Sequence, residues 1–189
     1  MLTLRIAAIL VFVASGVMAG PNQTVILQPS QIAGIVGETD GLVEPRLLVS
    51  FDLTSIPEGA SVYFAAVRLH NGTLPWDVPH VPVSMGALTQ AWNEDTVDWD
   101  GPSGSDSWDN PGGDYDKERI AYRVLLADAT SPPKFVITGI VKDWTSGAEA
   151  NYGLIAILEN VADLQEIVYQ FNALALRPTL EVRYIELEE

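Results

Sequence analysis

The sequence predicts an all-β protein built as a two-sheet antiparallel β-sandwich, jelly-roll-like, with one short helix. Three observations lead to this fold class. Apolar and polar residues alternate with a period of two over about eight short segments, as in strands with one buried and one solvated face. Clusters of Gly, Pro, Asn and Asp separate these segments. The 189-residue chain has room for one domain with a sizeable core and hardly for two.

The chain begins with a predicted secretory signal peptide, residues 1–19. Arg5 provides the positive charge near the N-terminus, residues 6–13 are apolar, and small residues precede Gly20. The apolar run is too short for a membrane span, which takes about 20 residues. The interpretation is an exported chain, secreted or held at the cell surface, with no membrane insertion after cleavage. Residues 20–189 then form a single sandwich domain; an uncleaved N-terminal anchor is the alternative.

The strand candidates follow in order along the chain. Five segments alternate clearly: residues 47–53, 63–69, 120–124, 167–171 and 180–184. Residues 24–28 and 82–88 are two further, less regular strand candidates. Residues 154–158 are apolar on both parities, as in a strand covered on both faces. A tight turn is predicted at residues 40–41. Polar positions opposite the core-facing residues include Arg68, Glu181 and Arg183.

One helix and one long loop complete the predicted elements. Residues 138–146 predict the short helix, because Ile140 and Trp144 recur at helical spacing and Gly147 supplies a stop. Residues 98–118 are rich in Gly, Asp, Ser and Asn and predict a long loop.

Composition narrows the classes of partner and chemistry. The formal net charge is −15, and it becomes −16 when the signal segment with Arg5 is removed. Such a surface repels nucleic acid and anionic lipid, and it argues against direct contact with any polyanion unless cations bridge. The chain has no cysteine, which excludes thiol catalysis, cysteine–zinc sites and disulfides.

No catalytic motif occurs in the sequence. His70 and His80 are the only imidazoles, and neither has a second histidine or an acid at metal-motif spacing. There is no Gly-x-Ser-x-Gly elbow and no phosphate loop. The 25 acidic residues single out no pair for glycoside hydrolysis. We therefore expect a protein that is not an enzyme.

Aromatic residues near acids and amides suggest a glycan-binding surface. Sugar rings stack on indoles, while carboxylates and amides bond to hydroxyls. Trp76 and Trp108 occur in loop-like contexts, where an exposed tryptophan often has a partner. The candidate ligand-binding residues are Trp76, Trp108, Asp109, Asn110, Tyr115, Trp92, Glu94 and Trp99. The alternative is that Trp92 and Trp99 pack internally and that Glu94 caps a turn.

Acidic residues of the predicted loop suggest calcium as a possible cofactor, since calcium takes six to eight oxygen ligands from flexible loops. The candidate metal ligands are Asp100, Asp106, Asp114 and Asp116. Their spacing does not fit the EF-hand pattern. The alternative is a solvated acidic loop that binds no metal.

Four phrases of the chain resemble, in the same order, the DNRLRE domain, a module of secreted bacterial and archaeal proteins related to carbohydrate-binding modules. The phrases are RLLVSFDLTSIPEGASVYFAAVRLH at 46–70, ALTQAWNEDTVDWDGPSG at 87–104, FVITGIVKDWTSGAEANYGLIAI at 135–157 and RPTLEVRY at 177–184. The resemblance covers nearly all of the predicted mature chain. Two departures occur: the stretch between residues 27 and 46 is short, and residues 135–138 lack the usual acid.

The resemblance implies a β-sandwich without catalytic activity. Such modules are often appended to polysaccharide lyases, glycosidases and surface proteins, and some bind acidic polysaccharides such as alginate. The leading hypothesis is a secreted, non-catalytic polysaccharide-binding module whose partner is a polysaccharide or a cell-surface glycan. The alternative is a structural or adhesive subunit of an extracellular surface or filament. In that case the extended residues 20–29 would pair with a neighbour's sheet edge, giving self-association.

Overall fold

Two antiparallel sheets face each other, and one short helix accompanies them. A computed structural model describes residues 19–39, 42–69, 80–126, 131, 133–159 and 177–187. All pairings between strands in these ranges are antiparallel. The predicted all-β sandwich with one short helix is confirmed.

The elements in chain order are nine strands and one helix within the described residues. They are β1 (Ala19–Leu27), β2 (Pro29–Thr39), β3 (Leu42–Phe51), β4 (Ser61–Arg68), β5 (His80–Ala87), β6 (Ala121–Leu126), β7 (Lys134–Val136), α1 (Thr138–Ser146), β8 (Leu154–Leu158) and β9 (Thr179–Leu187).

Neighbouring strands in each sheet come from distant parts of the chain. The four-stranded sheet has the order β1-β9-β4-β7, and the five-stranded sheet has the order β2-β3-β8-β5-β6. Only Gln28 separates β1 from β2, so the chain passes directly from an edge of one sheet to an edge of the other. The two hairpin arms β2 and β3 flank residues 40–41, where the sequence predicts a turn.

The main core lies between the facing sheets. Alternate residues of β3, β4, β5, β8 and β9 point into it, which is the period-two pattern of the sequence. Its largest fully buried side chains include Phe51, Phe135, Leu47 and Met85. Helix α1 adds Ile140, Val141 and Trp144 to the same core.

Several predicted bounds agree with the structure. Strand β8 and helix α1 have the predicted limits. Gly147 ends the helix with φ at +73°, and its N–H donates to the carbonyl of Trp144. The predicted strand at 167–171 and the predicted signal peptide up to residue 18 lie outside the described residues.

Two strands were not predicted. Strand β7 has only three residues, too few to show alternation. Strand β2 lacks alternation because both of its faces are partly covered. Ala33 and Ile35 are buried on its outer side, while Ile32 packs against the main core on its inner side. No helix among the described ranges has the length and apolar character needed to cross a membrane.

Candidate functional site

Most of the sequence-predicted site residues lie on one long segment, residues 88–116, here called the covering loop. It contains no helix or strand, apart from a bridge between Leu88 and Tyr115. The loop folds over the outer face of β2, β3 and β8. There Trp92 and Trp108 form a second core with outward residues of these strands, Ala33, Ile35, Leu48 and Ile155. The predicted loop is therefore a packed layer of the fold.

Trp108 is 5% exposed, in contrast to the exposed position that its loop-like context suggested. Its indole N–H donates to the carbonyl of Asp98 at 3.1 Å. Trp92 is buried as well, and its indole N–H donates to the carbonyl of Tyr152 at 2.9 Å. Both indoles thus have internal partners, and a ligand would reach little of either ring.

Trp99 and Glu94 attach the covering loop to strand β2. The Trp99 ring lies on Gly37 so closely that a Cβ there would be 2.0 Å from a ring carbon. Arg46 stacks on the same ring, 4.6 Å from its centroid. Glu94 accepts a hydrogen bond from the backbone N–H of Ile32 at 3.2 Å. Trp99 remains half-buried, so part of its surface is accessible.

Asp109, Asn110, Asp114 and Tyr115 form the end of the covering loop. The Asp114 carboxylate accepts hydrogen bonds from the backbone N–H groups of Asp109 and Asn110 and from the Asn110 side chain. Tyr115 is half-buried, with the Lys117 ammonium 5.8 Å from its ring centroid. Trp76 lies outside the described residues.

The four predicted calcium ligands do not share a partner, and three of them bond to different groups of the chain. Asp106 accepts from the hydroxyls of Ser103 and Ser105, Asp114 accepts the three donors above, and Asp116 pairs with Arg119. Asp100 is exposed, and in the part of the chain that is described no three metal-ligating side chains converge. Calcium binding by these residues stays a prediction.

Arg119 fastens the segment after the covering loop to the region of α1. Its guanidinium contacts carboxylates of Asp116, Asp143 and Glu149, each at 2.5 Å. The hydrogen bonds that the guanidinium donates to Glu149 and Asp116 raise the pKa of Arg119. The hydrogen bond from Arg119 lowers the pKa of Asp116. The arginine thereby neutralises carboxylates that would otherwise repel one another.

A different cluster lies on the outer face of the four-stranded sheet. Glu181 on β9 has a side chain only 5% exposed, although it points away from the core. Arg183 contacts it at 2.5 Å, Arg68 at 2.9 Å and Lys134 at 3.7 Å. We call these three basic residues the cation cluster. Ala66 stands directly opposite Glu181 on β4 and is short enough to let the arginines reach it.

The electrostatics of Glu181 follow from these contacts. Burial raises the pKa of the Glu181 carboxyl, but the hydrogen bonds from Arg183 and Arg68 outweigh it, and the pKa lies below its ordinary value of 4.5. Glu181 is therefore ionised at neutral pH. The cation cluster keeps between 31% and 44% of each side chain exposed. Among the described residues of this cluster, three cations face one carboxylate, so the cluster is locally positive.

Apolar surface adjoins the cation cluster. Phe64 on β4 has the Arg183 guanidinium 5.0 Å and the Lys134 ammonium 6.0 Å from its ring centroid. Ile26 on β1 and Val136 on β7 lie in the same row as Glu181 and are exposed. The face thus combines positive charge with apolar and aromatic surface, a combination that suits a carbohydrate bearing acidic groups.

A shallow groove of about 820 Å³ lies between residues 58–62 and the second half of α1. Glu58 and Asp143 line it together with Lys142 and several hydroxyl groups. Two carboxylates against one ammonium make this groove less suited to an anion than the sheet face.

Sequence reasoning identified the cation cluster's residues only in part. The alternation in β4 and β9 placed Arg68, Glu181 and Arg183 on the side away from the core. These side chains come into contact because β4 lies next to β9. Strand β7 lies on the other side of β4 and brings Lys134 beside them. No local pattern indicates that strand order, because residues 68 and 181 are 113 positions apart.

No protein-family model matches this chain, and no curated protein matches it either.

Proposed function

We propose that this chain is an exported, non-catalytic module that binds an anionic polysaccharide on the outer face of its four-stranded sheet. The observation that carries the proposal is the cation cluster around Glu181. A chain with a net charge of −15 gathers three of its ten basic residues around one buried carboxylate. Uronate or sulfate groups along a polysaccharide are complementary to such a face.

The side chains of this face have suitable chemistry for such a ligand. Arg68 and Arg183 present planar guanidinium groups, which bind carboxylates or sulfates through paired N–H donors. Lys134 adds a more mobile point charge at the sheet edge. The Phe64 ring offers an apolar surface for the C–H face of a sugar. Glu181 holds both arginines in place before a ligand arrives, which reduces the entropy lost on binding.

The negative total charge is compatible with this proposal because charges act locally. Exposed charges farther apart than about 8 Å are largely screened at physiological salt. A bound polyanion would therefore respond mainly to the cation cluster and less to the acidic covering loop on the other sheet. This removes the need for a bridging cation.

The resemblance to the DNRLRE domain supports the same class of ligand, since some such modules bind acidic polysaccharides. Contact between a glycan and the covering loop remains a secondary prediction. Trp99 and Tyr115 are half-buried and better placed for it than the buried Trp92 and Trp108.

The test compares two lysine variants by isothermal titration with alginate oligosaccharides and with a neutral β-glucan oligosaccharide. We expect Lys134→Gln to weaken alginate binding about three- to tenfold, and more strongly at low ionic strength, because it removes one exposed cation. Lys142→Gln is the matched control, since it removes an exposed lysine that lines the groove beside α1. Circular dichroism checks that both variants are folded.

Loss of alginate affinity in Lys134→Gln alone would support the proposed face. Loss in Lys142→Gln alone would move the site to the groove. The proposal of an anionic polysaccharide ligand would be refuted if the unaltered chain bound the neutral glucan as tightly as alginate. It would also be refuted if the unaltered chain bound neither probe.

A further inference from the structure

Strand β1 is an edge strand of unusual composition. Among the described residues it pairs with β9 and with no other strand. Charged residues make up 19% of the chain, yet residues 19–37, which span β1 and most of β2, contain none. The backbone groups of β1 that point away from β9 therefore lie between neutral side chains of β1 itself.

The other three sheet edges carry features that hinder pairing with another chain. Strand β7 is three residues long and begins with Lys134. Strand β6 places Arg123 opposite the core residue Val83, an inward charge at an edge. On β2, Glu94 binds the N–H of Ile32. Short edges, inward charges and covered backbone groups are the ways in which proteins prevent edge-to-edge association.

The central part of β1 has none of these features within the described residues. Its proline and its register shift fall at the start of the strand, and pairing with β9 is regular from Asn22 to Leu27. Ile26 is 53% exposed, and Val25 and Leu27 are only partly buried against the main core. Apolar surface is thus available beside an open backbone edge.

We propose that β1 pairs antiparallel with β1 of a second copy of this chain, joining two four-stranded sheets into one of eight strands. A twofold arrangement makes this contact self-complementary, since each strand meets its own equivalent. Asn22, Gln23 and Thr24 carry both donors and acceptors and so can bond to their own copies. The edge suits a second copy because residues 19–37 carry no charge, so two chains of net charge −15 repel each other least where these residues meet.

The pairing has a consequence that rests on the proposed polysaccharide binding. A twofold axis perpendicular to the joined sheet leaves the outer faces of both copies on the same side. The two β9 strands would then be about 14 Å apart, which is three strand spacings. Both cation clusters would face one polysaccharide chain, and bivalent attachment would strengthen its binding.

The test places a charge at each edge of the four-stranded sheet and measures association by sedimentation velocity over a range of concentrations. The full chain is expressed, and the mass of the purified product defines its start. Thr24→Glu puts the new carboxylate opposite Arg183 of the same chain, which favours the folded monomer. In a dimer it brings like charges together across the twofold axis. Val136→Glu, at the opposite edge, is the control.

We expect the unaltered chain to dimerise, Thr24→Glu to weaken the dimer about tenfold, and Val136→Glu to leave it unchanged. Hydrogen exchange gives a second readout that needs no variant: amides of residues 22–27 should become better protected as the protein concentration rises. A chain that stays monomeric at every concentration, or a dimer that both variants or neither variant weakens, would overturn the proposal. Alginate titration of Lys134→Gln, which alters the cation cluster at the edge opposite β1, reports separately on polysaccharide binding, and this variant should dimerise like the unaltered chain.

Discussion

Glu181 is the residue on which the outer face of the four-stranded sheet depends. A carboxylate with so little exposure would be unfavourable alone, and it is stabilised by hydrogen bonds from Arg183 and Arg68 with Lys134 nearby. The carboxylate in turn fixes two long side chains that would otherwise move freely in solvent. A single residue thus links the stability of the sheet to the shape of the proposed binding face.

Replacement of this residue has a predicted pH dependence. Glu181→Gln should lower the free energy of unfolding by about 1 to 2 kcal/mol at neutral pH, since the partly exposed cations regain some hydration. The pKa of Glu181 is lower in the folded chain than its ordinary value of 4.5. The stabilisation is therefore fully present above that value and is lost as pH falls through the folded pKa.

Urea unfolding of the unaltered chain and of Glu181→Gln, from about pH 7 to about pH 3, measures this difference. Glu58→Gln, at an exposed glutamate before β4, should have little effect at any pH. A difference for Glu181→Gln that stays constant over the whole range would contradict the assignment.

At the scale of elements, the covering loop acts as a third layer on the sandwich. It buries the outer face of β2, β3 and β8 with Trp92 and Trp108, and it is attached at β2 through Trp99 on Gly37. Gly112, with φ at +91°, brings the backbone of the loop against Arg46 and Trp99, where a side chain would collide. The absence of regular structure in this segment therefore does not mean that it is loosely held.

Gly37→Ala should displace Trp99 from β2. The new Cβ would lie 2.0 Å from the ring, so the ring must move, and we expect a loss of about 1 to 3 kcal/mol in the free energy of unfolding. Near-ultraviolet circular dichroism should change in the tryptophan bands.

Gly139→Ala in α1 is the matched control, because nothing lies within 4 Å of its added Cβ. It should stabilise the chain slightly, since alanine is the better helix former. Unchanged stability in Gly37→Ala would show that the loop does not pack on β2 as described.

At the scale of the whole molecule, the two sheets expose different surfaces. The covering loop on the five-stranded sheet carries many of the acidic residues, and the four-stranded sheet carries the cation cluster. Charge is thus distributed unevenly within a chain of net charge −15. This separation allows one face to bind an anion while the molecule as a whole remains acidic.

Export and cleavage before Gly20 stay a prediction, which the intact mass of the product can check. The full chain, expressed in a host with a secretory pathway, should be released with a mass that corresponds to residues 20–189. A product that retains residues 1–19 and stays with the membrane fraction would favour the uncleaved anchor instead.

Much of the fold was predictable because its signals are local. Period-two alternation identified most of the strands, and the spacing of Ile140 and Trp144 with the Gly147 stop gave the bounds of α1. Strand β2 was missed because burial on both faces removes alternation. Of the predicted site, the covering loop was found as a segment, but the burial of Trp108 was not, since a loop-like sequence does not show what packs beneath it.

The sequence by itself determined the all-β class, the inward and outward parity of most strands, and the helix with its stop. The predicted parity was wrong in β6, where Leu125 is buried in the main core while the predicted core residues Tyr122 and Val124 are exposed. Only the tertiary structure decided which strands became neighbours. It brought Arg68 to Glu181 across 113 positions of chain, placed Lys134 beside them, and put β1 at an edge of the four-stranded sheet formed by the described strands. The physical reason is that parity depends on residues one or two apart, whereas strand order depends on how distant segments share one core.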